Sequence, residues 1–180
     1  MTRSMMAQAI TVALGLTTSL ATPVFALQEY FNDFQTAVGS ELSSNGSTLG
    51  LDRTPTPSDG SRMFLGRSDG SPILGLSNET VTLELTGLAA HSELKLTFDF
   101  YAIQSLDGNN QGGGNDVFTF AVDGGPTLLD TTIAITAFGG TQAFPDNRPA
   151  SNPPGTGASE PNNSLGYGFF GDNVYPISTT

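Results

Sequence analysis

The sequence predicts an all-β fold, an antiparallel β-sandwich, on three observations. Residues 80–86 alternate without a break, with Val81, Leu83 and Leu85 on one face. Residues 94–101 alternate again, sending Leu94, Leu96, Phe98 and Phe100 inward and Lys95, Thr97, Asp99 and Tyr101 outward. Residues 117–122 form a third run that buries Phe118, Phe120 and Val122. A two-residue period is the signature of a strand with one covered and one wet face. Several such faces need a second sheet to cover them, which makes a sandwich. No stretch after residue 26 sustains the 3.6-residue apolar period of a helix.

The first 26 residues read differently. Arg3 precedes an apolar run from Ala7 to Ala21, and Val24-Phe25-Ala26 places small residues before a cut between Ala26 and Leu27. That is the pattern of a secretory signal peptide. The run is too short, and too interrupted by Thr, Ser and Gln, to span about 30 Å of hydrocarbon. No later segment is apolar enough either, so no transmembrane span is expected in the mature chain. Residues 27–180 are then expected to form one domain, secreted or held in the periplasm or at the cell surface.

Charge and composition narrow the class of function. The 180 residues carry a formal charge of −11, which becomes −12 without residues 1–26, since one arginine and no acid is lost. Only Lys95 and four arginines remain, which excludes the basic footprint of a nucleic-acid binder. There is no cysteine, so neither disulfides nor a thiolate metal site are available. His91 is the single histidine, which excludes a multi-histidine zinc, copper or iron site within one chain.

Taken in order, the elements read as follows. Residues 27–34 place aromatics near alternate positions and predict a first strand. Residues 39–61 are rich in Gly, Ser, Thr, Asn, Asp and Pro and predict a loop. Residues 63–66 predict a short strand, and 68–72 a turn. The runs at 80–86 and 94–101, joined through Gly87, predict an antiparallel hairpin or close neighbours. Asp123-Gly124-Gly125-Pro126 ends the third run with turn chemistry, and 127–138 predicts a further strand or two. Six of the eleven prolines fall within 139–176, a long Gly/Pro/Asn-rich excursion in which only 165–170 is apolar enough to return to the core. The last residues, 174–180, are expected to add no closing strand, leaving the sandwich incomplete at the C-terminus with an exposed sheet edge.

One loop stands out for chemistry. Asp107-Gly108-Asn109-Asn110-Gln111-Gly112-Gly113-Gly114-Asn115-Asp116 sets oxygen donors on a backbone freed by four glycines. Calcium takes six to eight oxygens at about 2.3–2.6 Å in irregular geometry. Asp99, Asp107, Asn109, Asn115 and Asp116 are therefore the candidate Ca²⁺ ligands, and calcium is the metal this composition suits best. The loop lacks the spacing of an EF-hand. It matches most of one calcium nonapeptide repeat, a motif that works by stacking several. A flexible hairpin loop with solvated acids has the same composition.

Three further readings follow from single residues. His91 in the turn 89–92 lacks the Gly-x-Ser-x-Gly setting of a hydrolase nucleophile, so no catalytic residue is assigned. Glu84, Glu93, Asp99 and Asp116 supply carboxylates for a polysaccharide-active hydrolase if two stand about 5–9 Å apart. A carbohydrate-binding domain would need Tyr101, Tyr167 or Tyr175 as a stacking platform, there being no tryptophan.

Certain residues carry a family resemblance. Arg62-Met63-Phe64-Leu65-Gly66, Asn78-Glu79-Thr80-Val81-Thr82-Leu83, Gly87-Leu88-Ala89-Ala90-His91-Ser92 and Leu96-Thr97-Phe98-Asp99-Phe100-Tyr101 appear in order. Ser105-Leu106-Asp107-Gly108-Asn109 and residues 118–129 follow, then 142–147 and 155–158. The chain resembles bacterial exported β-sandwich proteins that often carry a Pro-Glu-Pro C-terminal tail sorted by an exosortase. The resemblance implies a jelly-roll-like sandwich of the concanavalin or galactose-binding type, and a place at the cell envelope or in the extracellular matrix. Leu106 stands where that group tends to have Trp. Its members continue past the region of Asp172 to Tyr175 with more strands and the tail, so by this resemblance the chain is truncated and residues 176–180 are not native to the fold. The expected role is a non-enzymatic surface, matrix or ligand-binding module steadied by Ca²⁺, with extracellular polysaccharide or a matrix component as partner.

Overall fold

Alternation becomes sheet wherever β-branched and aromatic residues carry it. The computed structural model describes residues 7–14 (as backbone), 30–55, 62–68, 76, 78–88, 90–109, 114–135, 140–168 and 171–180. The strands are β1 (Ala7–Leu14), β2 (Leu42–Ser44), β3 (Leu49–Arg53), β4 (Met63–Arg67) and β5 (Thr80–Leu85), followed by β6 (Leu96–Ile103), β7 (Val117–Val122), β8 (Thr127–Thr132) and β9 (Asp172–Thr179). They form a five-stranded sheet in the order β2-β5-β1-β7-β8 and two ribbons, β3-β4 and β6-β9. All pairings are antiparallel except those of β1, which runs parallel to both β5 and β7. The chain is an all-β sandwich.

The core lies between the β6-β9 ribbon and the β7-β8 side of the large sheet. Phe118 and Phe120 of β7 are buried against the inward face of β6, as the alternation predicts. The Phe100 and Phe118 rings are 4.7 Å apart, and Phe98 meets Phe118 and Phe120 at 6.3 and 6.0 Å. These tilted and edge-on contacts are the favoured ones for aromatic pairs. Tyr175, Ile177, Ile133, Ile135 and Phe144 complete this cluster. The far end of the ribbon is covered on its other face too, where Leu165, Tyr167 and Val174 pack with Phe64, Tyr101 and Ile103.

Several sequence expectations are corrected. β5 and β6 are not a hairpin: β5 lies between β2 and β1, and β6 pairs with β9 across the sandwich. A period of two says which face is covered but not which strand lies alongside. Residues 30–34 are not strand, because Asn32 Oδ1 accepts from Phe34 N (2.8 Å) and Asp33 Oδ1 from Gln35 N (3.0 Å). Such local bonds compete with a ladder. Within the polar stretch 39–61, β2 and β3 form, the latter pairing with β4.

The largest correction is at the C-terminus. Residues 172–179 are a strand, paired with β6 along its full length from Leu96↔Thr179 to Ile103↔Asp172. Val174, Tyr175 and Ile177 are core, so Ile177 is an integral part of the fold. Pro176 is tolerated in this ribbon with an exposed side chain, as an edge position allows. The excursion therefore ends at 171. Its described residues, 140–168, form an ordered layer, knitted by backbone bonds such as Gln142 N to Asn152 O (2.9 Å), Asn152 N to Gln142 O (2.7 Å) and Ser159 N to Val174 O (2.9 Å).

Candidate functional site

The loop singled out by its oxygen donors leaves β6 through two residues in left-handed backbone geometry, Gln104 (φ 53°) and Ser105 (φ 42°). Non-glycine residues pay about 1 kcal/mol or more for that region, so the surroundings must hold them there. Next comes Gly108 at φ +72°, where a Cβ would lie 2.2 Å from Thr141 O and 2.8 Å from Ala134 Cβ. Glycine is required here by both conformation and space. The close approach presses the loop entrance against 134 and 141, with Asn109 N donating to Thr141 O at 2.7 Å.

Asp116 ties the loop's two ends together. Only 5% exposed, it accepts at Oδ2 from the backbone N–H of Asp107 and, at 3.2 Å, of Gly108. Its own N–H donates to Gly108 O (3.1 Å), and Ile133 N donates to its carbonyl (3.2 Å). Burial raises the Asp116 carboxyl to about 6; the two N–H donors oppose this rise and the nearby Asp107 charge adds to it. Burial also raises Asp107. Two carboxyls that both resist ionisation thus share the loop entrance.

The other expected ligands are placed differently. The Asn109 side chain is used by the scaffold: Oδ1 accepts from Thr132 Oγ1, and Nδ2 donates to Thr141 Oγ1 (3.2 Å) and Ala150 O (3.1 Å). Asn115 is exposed beside Asp116. Asp99 stands on the exposed face of β6, in register with Pro176. Residues 110–113 lie outside the described residues, as does the cleavage point between Ala26 and Leu27. Among the described residues, no three of His, Cys, Asp and Glu come together to hold a metal ion.

The structure also places the residues weighed for other chemistry. Glu84 and Glu93 are exposed, on β5 and just before β6, whereas Asp116 is buried and accepts at Oδ2 from backbone N–H groups. His91 is exposed in the connection between β5 and β6. Of the three tyrosines, Tyr175 is fully buried and Tyr167 is 9% exposed, so neither is a platform for a sugar. Tyr101 is half-buried and packs on Phe64 at 5.5 Å.

A buried polar network that no sequence pattern marks connects this loop to the excursion. Gln142 Oε1 accepts from Ala134 N (3.1 Å) and Gly155 N (3.1 Å), and its amide donates to Phe144 O (3.0 Å) and Thr156 O (2.8 Å). The Tyr175 hydroxyl lies 3.0 Å from Gln142 Oε1 and 2.9 Å from Ala134 O, and it accepts from Asn173 Nδ2 at 3.0 Å. Asp172, also fully buried, accepts from Leu165 N (2.7 Å) and Tyr167 N (3.1 Å). Glu79 plays the same part near β2. Burial alone would raise its carboxyl, but bonds from Ser47 and Ser44, with Arg67 close by, hold it below its ordinary value. Polar residues deep in this fold hold loops by their backbones.

No protein-family model, curated protein or solved structure matches this chain. Fold and site together define an all-β sandwich whose buried polar side chains fasten long connections onto the sheets. No helix among the described residues is long and apolar enough to cross a membrane.

Proposed function

We propose that this chain is a non-enzymatic extracytoplasmic module of the cell surface or extracellular matrix, a jelly-roll-like relative of exported proteins sorted by an exosortase. Its residues 1–26 are an export signal, and its partner is an extracellular polysaccharide or matrix component. The observation that carries this reading is the use made of Asp116, Asn109, Gln142, Asp172 and Asn173. Their side chains bond backbone in the loops, an arrangement suited to a rigid scaffold displaying a surface. The cysteine-free, strongly acidic composition supports a solvated life in cation-rich surroundings.

Calcium belongs to the same reading. Asp107 and Asp116 would hold the ion, which would offset their mutual repulsion and the cost of burying them. Two measurements test the proposal. The chain recovered from the periplasm or medium of an expressing bacterium should begin at Leu27 by intact mass; retention in the cytosol with Met1 in place would refute export. Millimolar Ca²⁺ should raise the melting temperature, with EDTA reversing it, and no shift at any concentration would refute the metal.

A further inference from the structure

Strand β1 occupies the middle of the five-stranded sheet, yet it comes from the segment that reads as the apolar core of the export signal. Ile10 is in register with Val81 of β5 and Phe120 of β7, and Val12 with Leu83 and Val122. β5 and β7 have their outer neighbours in β2 and β8, and it is β1 that joins their inner edges. Six register pairs are made on each side. Removal of residues 1–26 would take away this strand and leave two facing, parallel edges one strand's width apart.

Simple closure of that gap is opposed by the core. Neighbouring strands lie about 4.8 Å apart, so joining β5 to β7 requires a shift of that size by one of them. β7 is held by Phe118 and Phe120, each 2% exposed, against Phe98 and Phe100 of β6. On the other side Val81 and Leu83 are buried. A shift of one strand spacing would undo one of these packings. Leaving the gap empty would strand backbone donors and acceptors beside buried apolar residues, each at a cost of about 1–3 kcal/mol.

We propose that the mature chain carries a strand-accepting slot between β5 and β7. Its ligand is an extended polypeptide segment that runs parallel to both strands and has apolar residues at alternate positions, as Ile10, Val12 and Leu14 are spaced. The resident example is residues 7–14. Recognition is by backbone pairing on two sides, with the side-chain pattern fixing the register. This inference rests on the export-signal reading, since the slot opens when the leader leaves.

The test uses the full chain with a site-specific protease sequence placed within residues 15–26, folded and then cut. The released leader should stay with the body on size exclusion and should exchange with a fluorescent peptide of residues 7–14, read by anisotropy. A Thr11→Pro peptide, which lacks one pairing N–H, should bind about tenfold more weakly. A folded, monomeric body that sheds the leader and takes up no peptide would overturn the slot. So would a body that dimerises and excludes the peptide. In the uncut chain, which has no native cysteine, Ala9→Cys with Thr80→Cys should cross-link with a short bismaleimide, and failure to do so would also overturn it. The export reading fails separately, through a chain retained in the cytosol with Met1 in place.

Discussion

Asp116 offers the most exacting check on the structural reasoning. Its carboxyl lies at about 6, against an ordinary 3.8, because it is buried. A rise of that size corresponds to about 3 kcal/mol, using 1.36 kcal/mol per tenfold change in proton affinity. The folded state binds this proton more tightly than the unfolded state does, so stability falls as pH rises through the window from about 4 to 6. Above that window the full cost of an ionised buried carboxylate is present; below 4 it is gone. Asp116→Asn keeps an oxygen to accept from Asp107 N and Gly108 N and removes the charge. The variant should match the parent at pH 4 and exceed it by up to about 3 kcal/mol at pH 8. For a chain of this size that is a gain of about 6–12 °C in melting temperature. Denaturant unfolding at both pH values measures the difference, and carboxyls remote from Asp116, such as Glu79 with its opposite sign, cancel in the comparison. A stability difference that does not change with pH would refute the account. Millimolar Ca²⁺ at pH 8 should narrow the gap by stabilising the parent alone.

Further outcomes follow from particular contacts. Tyr175→Phe removes the hydroxyl shared by Gln142, Asn173 and Ala134, and should cost about 1–3 kcal/mol in urea unfolding, without loss of β-sheet circular dichroism. Gly108→Ala drives a methyl onto Thr141 O in a left-handed backbone and should lower the melting temperature more than Gly124→Ala, where φ is also positive but nothing lies within 4 Å. Deleting residues 175–180 should abolish cooperative unfolding, because it removes Tyr175 and Ile177 from the core together with most of β6's partner strand; a cooperative transition in the deleted chain would contradict the place of β9. Arg62→Ala breaks a bidentate pair with Glu160 at 2.7 and 2.8 Å, but both side chains are partly exposed, so the loss should stay below about 1 kcal/mol.

Much of the candidate loop was legible, and the part that was not has a definite cause. Oxygen-bearing residues between β6 and β7 are visible as composition. What each oxygen does depends on what folds onto it. Asn109 looks like a ligand in the sequence, yet Thr132, Thr141 and Ala150, from distant stretches, take up its amide. Tyr175 looks like an exposed tail residue, yet among the described residues it is the largest of the fully buried side chains.

By itself the sequence determined the all-β class and the inward faces of β6 and β7, because a period of two is a local property of the pleated backbone. It also determined the absence of disulfide and thiolate chemistry and the strongly acidic composition. Only the tertiary structure decided that β6 pairs with β9 across the chain, and that the Gly/Pro-rich excursion is an ordered layer. It alone decided that Asp172 and Gln142 are buried in the service of that layer, and Asp116 in that of the loop between β6 and β7. Strand partnership and the burial of a polar group are set by contacts between residues far apart in sequence, and local pattern does not encode them.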